Sequence, residues 1–249
     1  MDDTSTPNAI DARETMASDR IMPIGVAARV FEGSEIVTRP MGPRVAGLFI
    51  RADNENLGLP FNPIANRPIF GMAGLSRNIP FSLLDGSVEG QQLLAANVST
   101  VAVGETGVDG AVADGGFVFI GTDSATTNTL DEQIHQVRGV DYIVTELIGI
   151  TRQYLGQKIT PDLTEAWVNS IAFTLRDHKA AGNILGYTPA PEMFRADRNS
   201  PEQIRLGTLN LRIGVEPSPA FKVANHEIQR YRPALEGLVG EIVARLNAA

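Results

Sequence analysis

The amino-acid sequence predicts an α+β protein, on three observations. Its second half carries long stretches with apolar residues at helical spacing: Val140, Ile143, Val144, Leu147, Ile148, Thr151 and Leu155 form one such stripe. Two short runs, Val98–Val103 and Phe117–Ile120, are rich in β-branched and aromatic residues and read as strands. Late in the chain, Leu209, Leu211, Ile213 and Val215 alternate with Thr208, Asn210, Arg212, Gly214 and Glu216, the period of two of a half-buried strand. A weaker alternation through Phe221 and Val223 follows Pro217-Ser218-Pro219 and reads as a second strand. Two strands alone are marginal in water, so this pair calls for partners.

Taken in order, residues 1–19 are acidic and polar, and read as a mobile leader or an arm that orders on a partner. Ile21–Phe31 reads as strand-like, Glu32-Gly33-Ser34 as a turn, and Glu35–Thr38 as a short extended piece. Within Pro40–Ala52, Val45, Leu48, Phe49 and Ala52 fall on one helical face. Asp53–Pro68 is rich in Asn, Gly and Pro and reads as a loop, and a short helix is expected through Leu93, Leu94 and Ala95. A glycine-rich connection joins the two central strands. Thr160-Pro161 is a helix start, with Thr as cap and Pro at the first helical position, and Gly182 is a plausible stop. Ser200-Pro201-Glu202 predicts a one-turn helix. Pro233 opens a last helix with Leu235, Leu238, Val239, Ile242, Val243 and Leu246 on one side.

A chain of 249 residues, 43% hydrophobic and 20% charged, can bury one large core or two smaller ones. The formal charge of −8 argues against a nucleic-acid or anionic-membrane partner. The absence of cysteine excludes disulfides, thiolate metal sites and cysteine nucleophiles. No apolar run has the length of a membrane helix. Of the 21 basic residues, 18 are arginine, a bias that leans toward assembly because arginine is enriched at interfaces where lysine is depleted.

The search for chemistry returns little. His135, His178 and His226 are far apart and sit in no zinc pattern. Gly121-Thr122-Asp123-Ser124-Ala125 does not form a nucleophile elbow. Gly104, Gly107, Gly110, Gly115 and Gly116 match no phosphate-loop spacing, and Asp109 and Asp114 among them would repel phosphate. Asp53, Asn54 and Glu55 lack the spacing of a calcium loop, and Trp167 and Tyr154 sit in helical stripes and read as core. No catalytic, cofactor-binding or metal-ligating residue is assigned.

Three stretches in order resemble the tail sheath proteins of contractile phages. The first runs from Arg39-Pro40-Met41-Gly42-Pro43-Arg44-Val45-Ala46-Gly47 through Asp53, followed by Asn62-Pro63-Ile64-Ala65-Asn66-Arg67-Pro68-Ile69 and Gly71. The second is Gly116-Phe117-Val118-Phe119-Ile120-Gly121-Thr122-Asp123. The third joins Ala181-Gly182-Asn183-Ile184-Leu185-Gly186, then Asn199-Ser200-Pro201-Glu202-Gln203-Ile204-Arg205-Leu206-Gly207, and the strand pair divided by Pro217 and Pro219. Departures stand at Ile120 and Asp123, where the family has Trp and Arg, and in the final helix, where sheath subunits typically end in a strand or an extended arm. The residues ahead of Arg39 are too few for the N-terminal half of a typical sheath subunit.

The resemblance implies a flexible arm at 1–19, a partial α/β sheath core at 20–125, and a sheath C-terminal domain at 126–249. In that domain two long helices pack on a small sheet that neighbouring subunits complete. It implies a helical homopolymer of rings around a tail tube protein, bounded by baseplate and tail terminator proteins. No cofactor, nucleic acid or direct membrane insertion is implied. The expected location is the phage virion, with host cytoplasm during assembly. Strand exchange would run through Leu209, Leu211, Ile213, Val215, Phe221, Val223 and Asn225. Two other readings stay open: a baseplate or tail-associated structural protein with a sheath-like domain, and an α/β hydrolytic enzyme.

Overall fold

A computed structural model describes residues 5–107, 112–113 and 115–248. Asp109, Gly110 and Asp114 of the glycine-rich connection lie outside the described residues. The elements run α1 (Thr6–Glu14), β1 (Ala28–Glu32), β2 (Glu35–Arg39), α2 (Gly42–Glu55), β3 (Arg67–Pro68), β4 (Gly74–Leu75), α3 (Glu89–Ala95), β5 (Thr100–Val103) and β6 (Phe117–Ile120). They continue with α4 (Ile134–Arg152), α5 (Pro161–Ala180), β7 (Ile184–Tyr187), α6 (Ala190–Met193), α7 (Pro201–Arg205), β8 (Val215–Pro217) and α8 (Pro233–Asn247). The class is α+β, as the sequence predicts.

Three small antiparallel sheets result, ordered β2-β1-β4, β3-β6-β5 and β7-β8. Two apolar clusters hold them. The first gathers Ala9, Val30, Val45, Leu48, Leu93, Val101 and Phe119, from α1, β1, α2, α3, β5 and β6. The second gathers Ile143 of α4, Ile171 and Leu175 of α5, Ile184 of β7 and Met193 of α6. Phe61 belongs to this second cluster although it follows α2 in the chain. Its ring occupies space that Gly139 leaves on α4: a Cβ on Gly139 would meet the ring at 2.6 Å. A mid-helix glycine costs roughly 1 kcal/mol relative to alanine, and here the packing of Phe61 accounts for it.

Local signals explain the long helices. Thr160 caps α5, its hydroxyl accepting from the Leu163 amide at 3.2 Å, with Pro161 at the first position. Gly182 adopts φ +77 just past the helix end, the left-handed conformation that glycine takes without a Cβ penalty. Ser200 and Gln203 form a reciprocal capping box on α7.

Two expectations are corrected. The leader is not mobile throughout, because α1 is ordered against the body. Ser5 caps it, Ala9 is fully buried, and Arg13 donates to the Thr126 carbonyl at 3.0 Å. Thr6 and Arg77 both bond Glu89 in the first turn of α3. The strand expected over 209–215 is reduced to an isolated bridge between Leu211 and Phe194 and to β8 at its end. Its backbone partners are taken by side chains and by the chain before it. The Asn210 amide donates to Asn199 Oδ1 at 2.7 Å, Asn199 Nδ2 donates to the Asn210 carbonyl at 3.0 Å, and the Arg212 amide donates to the Met193 carbonyl at 2.9 Å. The second strand, through Phe221 and Val223, has no regular structure and no strand partner.

Gly139→Ala is expected to destabilise the protein by about 1–3 kcal/mol, the cost of overpacking a filled site. Urea unfolding of the two proteins measures it.

Candidate interface at the root of the C-terminal segment

The backbone from Pro217 to Lys222 is tied to side chains that precede it by more than eighty residues. Gln136 Nε2 donates to the Pro217 carbonyl at 3.2 Å. His135 Nε2 lies 3.1 Å from the Ser218 carbonyl. A carbonyl only accepts, so the neutral ring carries its proton on Nε2, leaving Nδ1 to accept from Thr122 Oγ1 at 3.4 Å. The Ala220 amide donates to Gln133 Oε1 at 2.7 Å. From the other side, the Ser218 amide donates to the Asn183 carbonyl at 3.2 Å and its hydroxyl to the Gly182 carbonyl at 2.7 Å. Lys222 closes the group, its ammonium 2.9 Å from both Asp123 oxygens and 3.4 Å from Glu132.

Helix geometry positions these groups. Gln133 is the N-cap residue of α4 yet makes no side-chain cap, so its amide oxygen is free for Ala220. His135 and Gln136 follow in the first turn, facing β8. Burial lowers the His135 pKa from its ordinary 6.5, and the nearby Arg138 charge adds to this against the bond that the ring donates to the Ser218 carbonyl. Burial raises the Asp123 carboxyl above the usual range, with Lys222 pulling against it. For Lys222 burial works downward, but the bonds and charges of Asp123 and Glu132 outweigh it and raise the ammonium. Desolvation thus offsets much of the attraction in this largely buried pair, and its contribution is mainly to fix the path of the backbone.

Beyond Lys222, no hydrogen bond or ion pair ties residues 223–248 to the body among the described residues. Residues 223–232 are exposed and irregular, and α8 has no buried residue. Phe221, Val223, Ile228 and Tyr231 are all more than two-thirds exposed. On α8, Leu235, Leu238, Val239, Ile242, Val243 and Leu246 all face solvent. The β7–β8 sheet has no third strand among the described residues.

The expected exchange residues therefore divide. Leu211, Ile213 and Val215 pack half-buried against the second cluster, alternating with exposed Arg212, Gly214 and Glu216. Leu209 lines a surface groove with Val168, Phe194 and Ile204. Phe221, Val223 and Asn225 stand apart from all of these, exposed. Gln133, His135 and Gln136 carry no local signal of their role, because their partners lie 81 to 87 residues away. Asp53, considered for calcium, instead pairs with Arg138 at 2.5 and 3.2 Å. His178 bonds Glu146 at 2.6 Å. Among the described residues no group of three or more His, Cys, Asp or Glu could hold a metal ion, and no helix is long and apolar enough to cross a membrane.

No family model and no curated protein matches this chain. Two solved structures are similar in fold. One is a chain of the anti-feeding prophage (AFP) baseplate, with a TM-score of 0.68 and 13% identity over 86% of this chain and 56% of that one. The other belongs to an extracellular contractile injection system, the PVC sheath complex in its contracted state, with a TM-score of 0.69 and 11% identity over 92% of this chain and 62% of that one. This chain thus spans about three-fifths of the length of the chains it resembles. The likeness is to components of contractile injection machines, in fold.

Because His135 is held neutral by the fold, the unfolded chain takes up the proton first as pH falls. The stability associated with this ring is full above pH 6.5 and is lost as pH drops below that value. His135→Gln keeps a donor toward Ser218 but cannot titrate. Urea unfolding at pH 7.5 and 5.5 is expected to give a smaller loss for the variant than for the parent protein.

Proposed function

We propose that this chain is a non-catalytic structural subunit of a contractile tail or injection machine, of the baseplate or tail-associated kind with a sheath-like fold. It joins neighbouring subunits through the segment that leaves the body after Lys222. The observation that carries the reading is the contrast across Lys222. Seven residue pairs clamp the root, and then a string of large apolar residues continues with nothing against it among the described residues. Apolar patches of that extent on a soluble protein mark interaction surfaces. The fold likeness to AFP baseplate and PVC sheath chains supplies the class of assembly.

A narrower reading, contractile sheath subunit, draws support from one feature. The chain holds both a short sheet with an unpaired edge and an uncommitted irregular segment from Val223 onward. A segment of one copy adding to the sheet of the next is a heterologous contact, and such contacts generate rings or open helical tubes. Edges left open would otherwise invite aggregation. On this reading the partners are further copies of the chain and a tail tube protein, with baseplate and terminator proteins at the ends. The particle is phage-like, and contraction draws on interface burial rather than on a nucleotide.

Negative-stain electron microscopy of the purified protein, alone and with tail tubes or baseplate components, tests both readings. Uniform tubes or stacked rings of the protein itself favour the sheath. Decoration of tail components without self-assembly favours the baseplate or tail-associated role. Deleting residues 223–232 is expected to abolish whichever assembly forms while the body keeps its helical circular dichroism. Monomers that decorate nothing, or assembly undiminished by the deletion, contradict the proposal.

A further inference from the structure

The surface carries a second unpartnered apolar stripe, on α4. Val144 and Ile148 are exposed along its outer side, half-buried Thr151 follows in the same line with its hydroxyl accepting from Trp167 of α5 at 3.1 Å, and exposed Leu155 lies in the turn beyond. Their spacing is four, three and four residues. On α8 the central line is Leu235, Val239, Ile242 and Leu246, again four, three and four. The α8 line covers eleven residue steps, roughly 16 Å at 1.5 Å per residue, and the helical part of the α4 line, Val144 to Thr151, covers seven, roughly 10 Å, with Leu155 in the turn beyond. Two helices with matched ridges of this kind can seat along one another. We propose that α8 of one copy docks antiparallel along the outer face of α4 of a second copy. This rests on the reading that the segment after Lys222 joins a neighbour, and it names the surface that receives the helix.

Charge selects the direction. Steps of about 100° per residue put Arg152 on one flank of the α4 line, and put Glu236 and Arg245 on opposite flanks of the α8 line. Seated antiparallel, Leu246 lies against Val144, and Glu236 falls on the Arg152 flank within two residues of it in height. Seated parallel, Leu235 lies against Val144 and Arg245 falls there instead, like charge against like. Arg152 is exposed and has no ion pair among the described residues, whereas Asp141 on the same flank is engaged by Arg20 at 2.7 Å. The antiparallel seating also opposes the helix dipoles. The ten residues from Val223 to Arg232 reach about 33 Å when extended, enough to carry α8 to a neighbouring body.

The contact is heterologous, α8 to α4 and not α8 to α8. It can therefore repeat along an assembly, and it covers both exposed stripes at once. The chain's lack of cysteine makes a clean test possible. Val144→Cys protein is mixed with Leu246→Cys protein, and separately with Leu235→Cys protein, at low salt under mild oxidation. All three positions are solvent-exposed, so none of the variants disturbs the core.

The Val144→Cys and Leu246→Cys mixture is expected to give the mixed disulfide in clear excess over the other mixture. Glu236→Arg on the Leu246→Cys protein is expected to lower the yield about twofold to fivefold, the range of a surface ion pair. Adding Arg152→Glu to the Val144→Cys protein is expected to restore it. Excess in the Leu235→Cys mixture, no mixed disulfide in either, or a disulfide formed only within a chain carrying both Val144→Cys and Leu246→Cys would overturn the proposal. If the mixed disulfide is absent while microscopy finds assembly, this contact fails and the functional reading stands. If the disulfide forms and nothing assembles, the reverse holds.

Discussion

The hydrogen bonds that fasten Pro217–Lys222 to the start of α4 are the constraint on which the rest depends. They end the packed body. Up to Ala220, side chains or carbonyls of the body satisfy the backbone of the segment, and Lys222 adds a charge contact to Asp123. After it, no such partner is present among the described residues and the chain is exposed. The clamp is built from neutral amides and a neutral imidazole, groups whose net contribution is about 1 kcal/mol each. Its strength comes from their number and their common direction. It fixes where the extension departs and leaves the extension itself unconstrained.

The body is two apolar clusters joined by few but specific insertions. Phe61 crosses from the first half of the chain into the cluster of α4 and α5, where Tyr142 and His178 pack around its ring at 6.0 and 5.0 Å. Asp53 and Arg138 make a second tie, with the Arg138 guanidinium 4.5 Å from the centre of the Phe49 ring. These ties join α2 and its following loop to α4. The clamp residues stand at the start of α4, so the rigid seat of the extension is supported from both clusters.

Much of this was legible in the sequence wherever the signal was local. The caps at Thr160 and Ser200, the left-handed glycine at 182 and the apolar periods of α2, α4 and α8 each correspond to an element in the structure. The helix α1 was not, because the side it turns to the body, Thr6, Ala9, Ile10 and Arg13, is small and partly polar, and its order depends on Glu89 and Thr126, far along the chain. The alternation of Leu211, Ile213 and Val215 correctly foretold which side chains turn inward. The strand it predicted did not form over most of that run, because Asn199 and Met193 had taken the backbone partners. The clamp was invisible for the same reason: glutamine and histidine at the start of a helix have no meaning until Ser218 is folded against them. The exposure of the α8 stripe was equally hidden, since an apolar helical face reads alike whether it meets its own body or another.

The division at Lys222 is the central claim, and amide hydrogen exchange of the dilute full-length protein tests it most directly. The amides of Ser218 and Ala220 and those of α4 and α5 are expected to exchange slowly, while those of residues 223–232 exchange at rates close to an unfolded chain. Slow exchange through residues 223–232 in the free protein would contradict the account, because the extension would then already be packed against its own body.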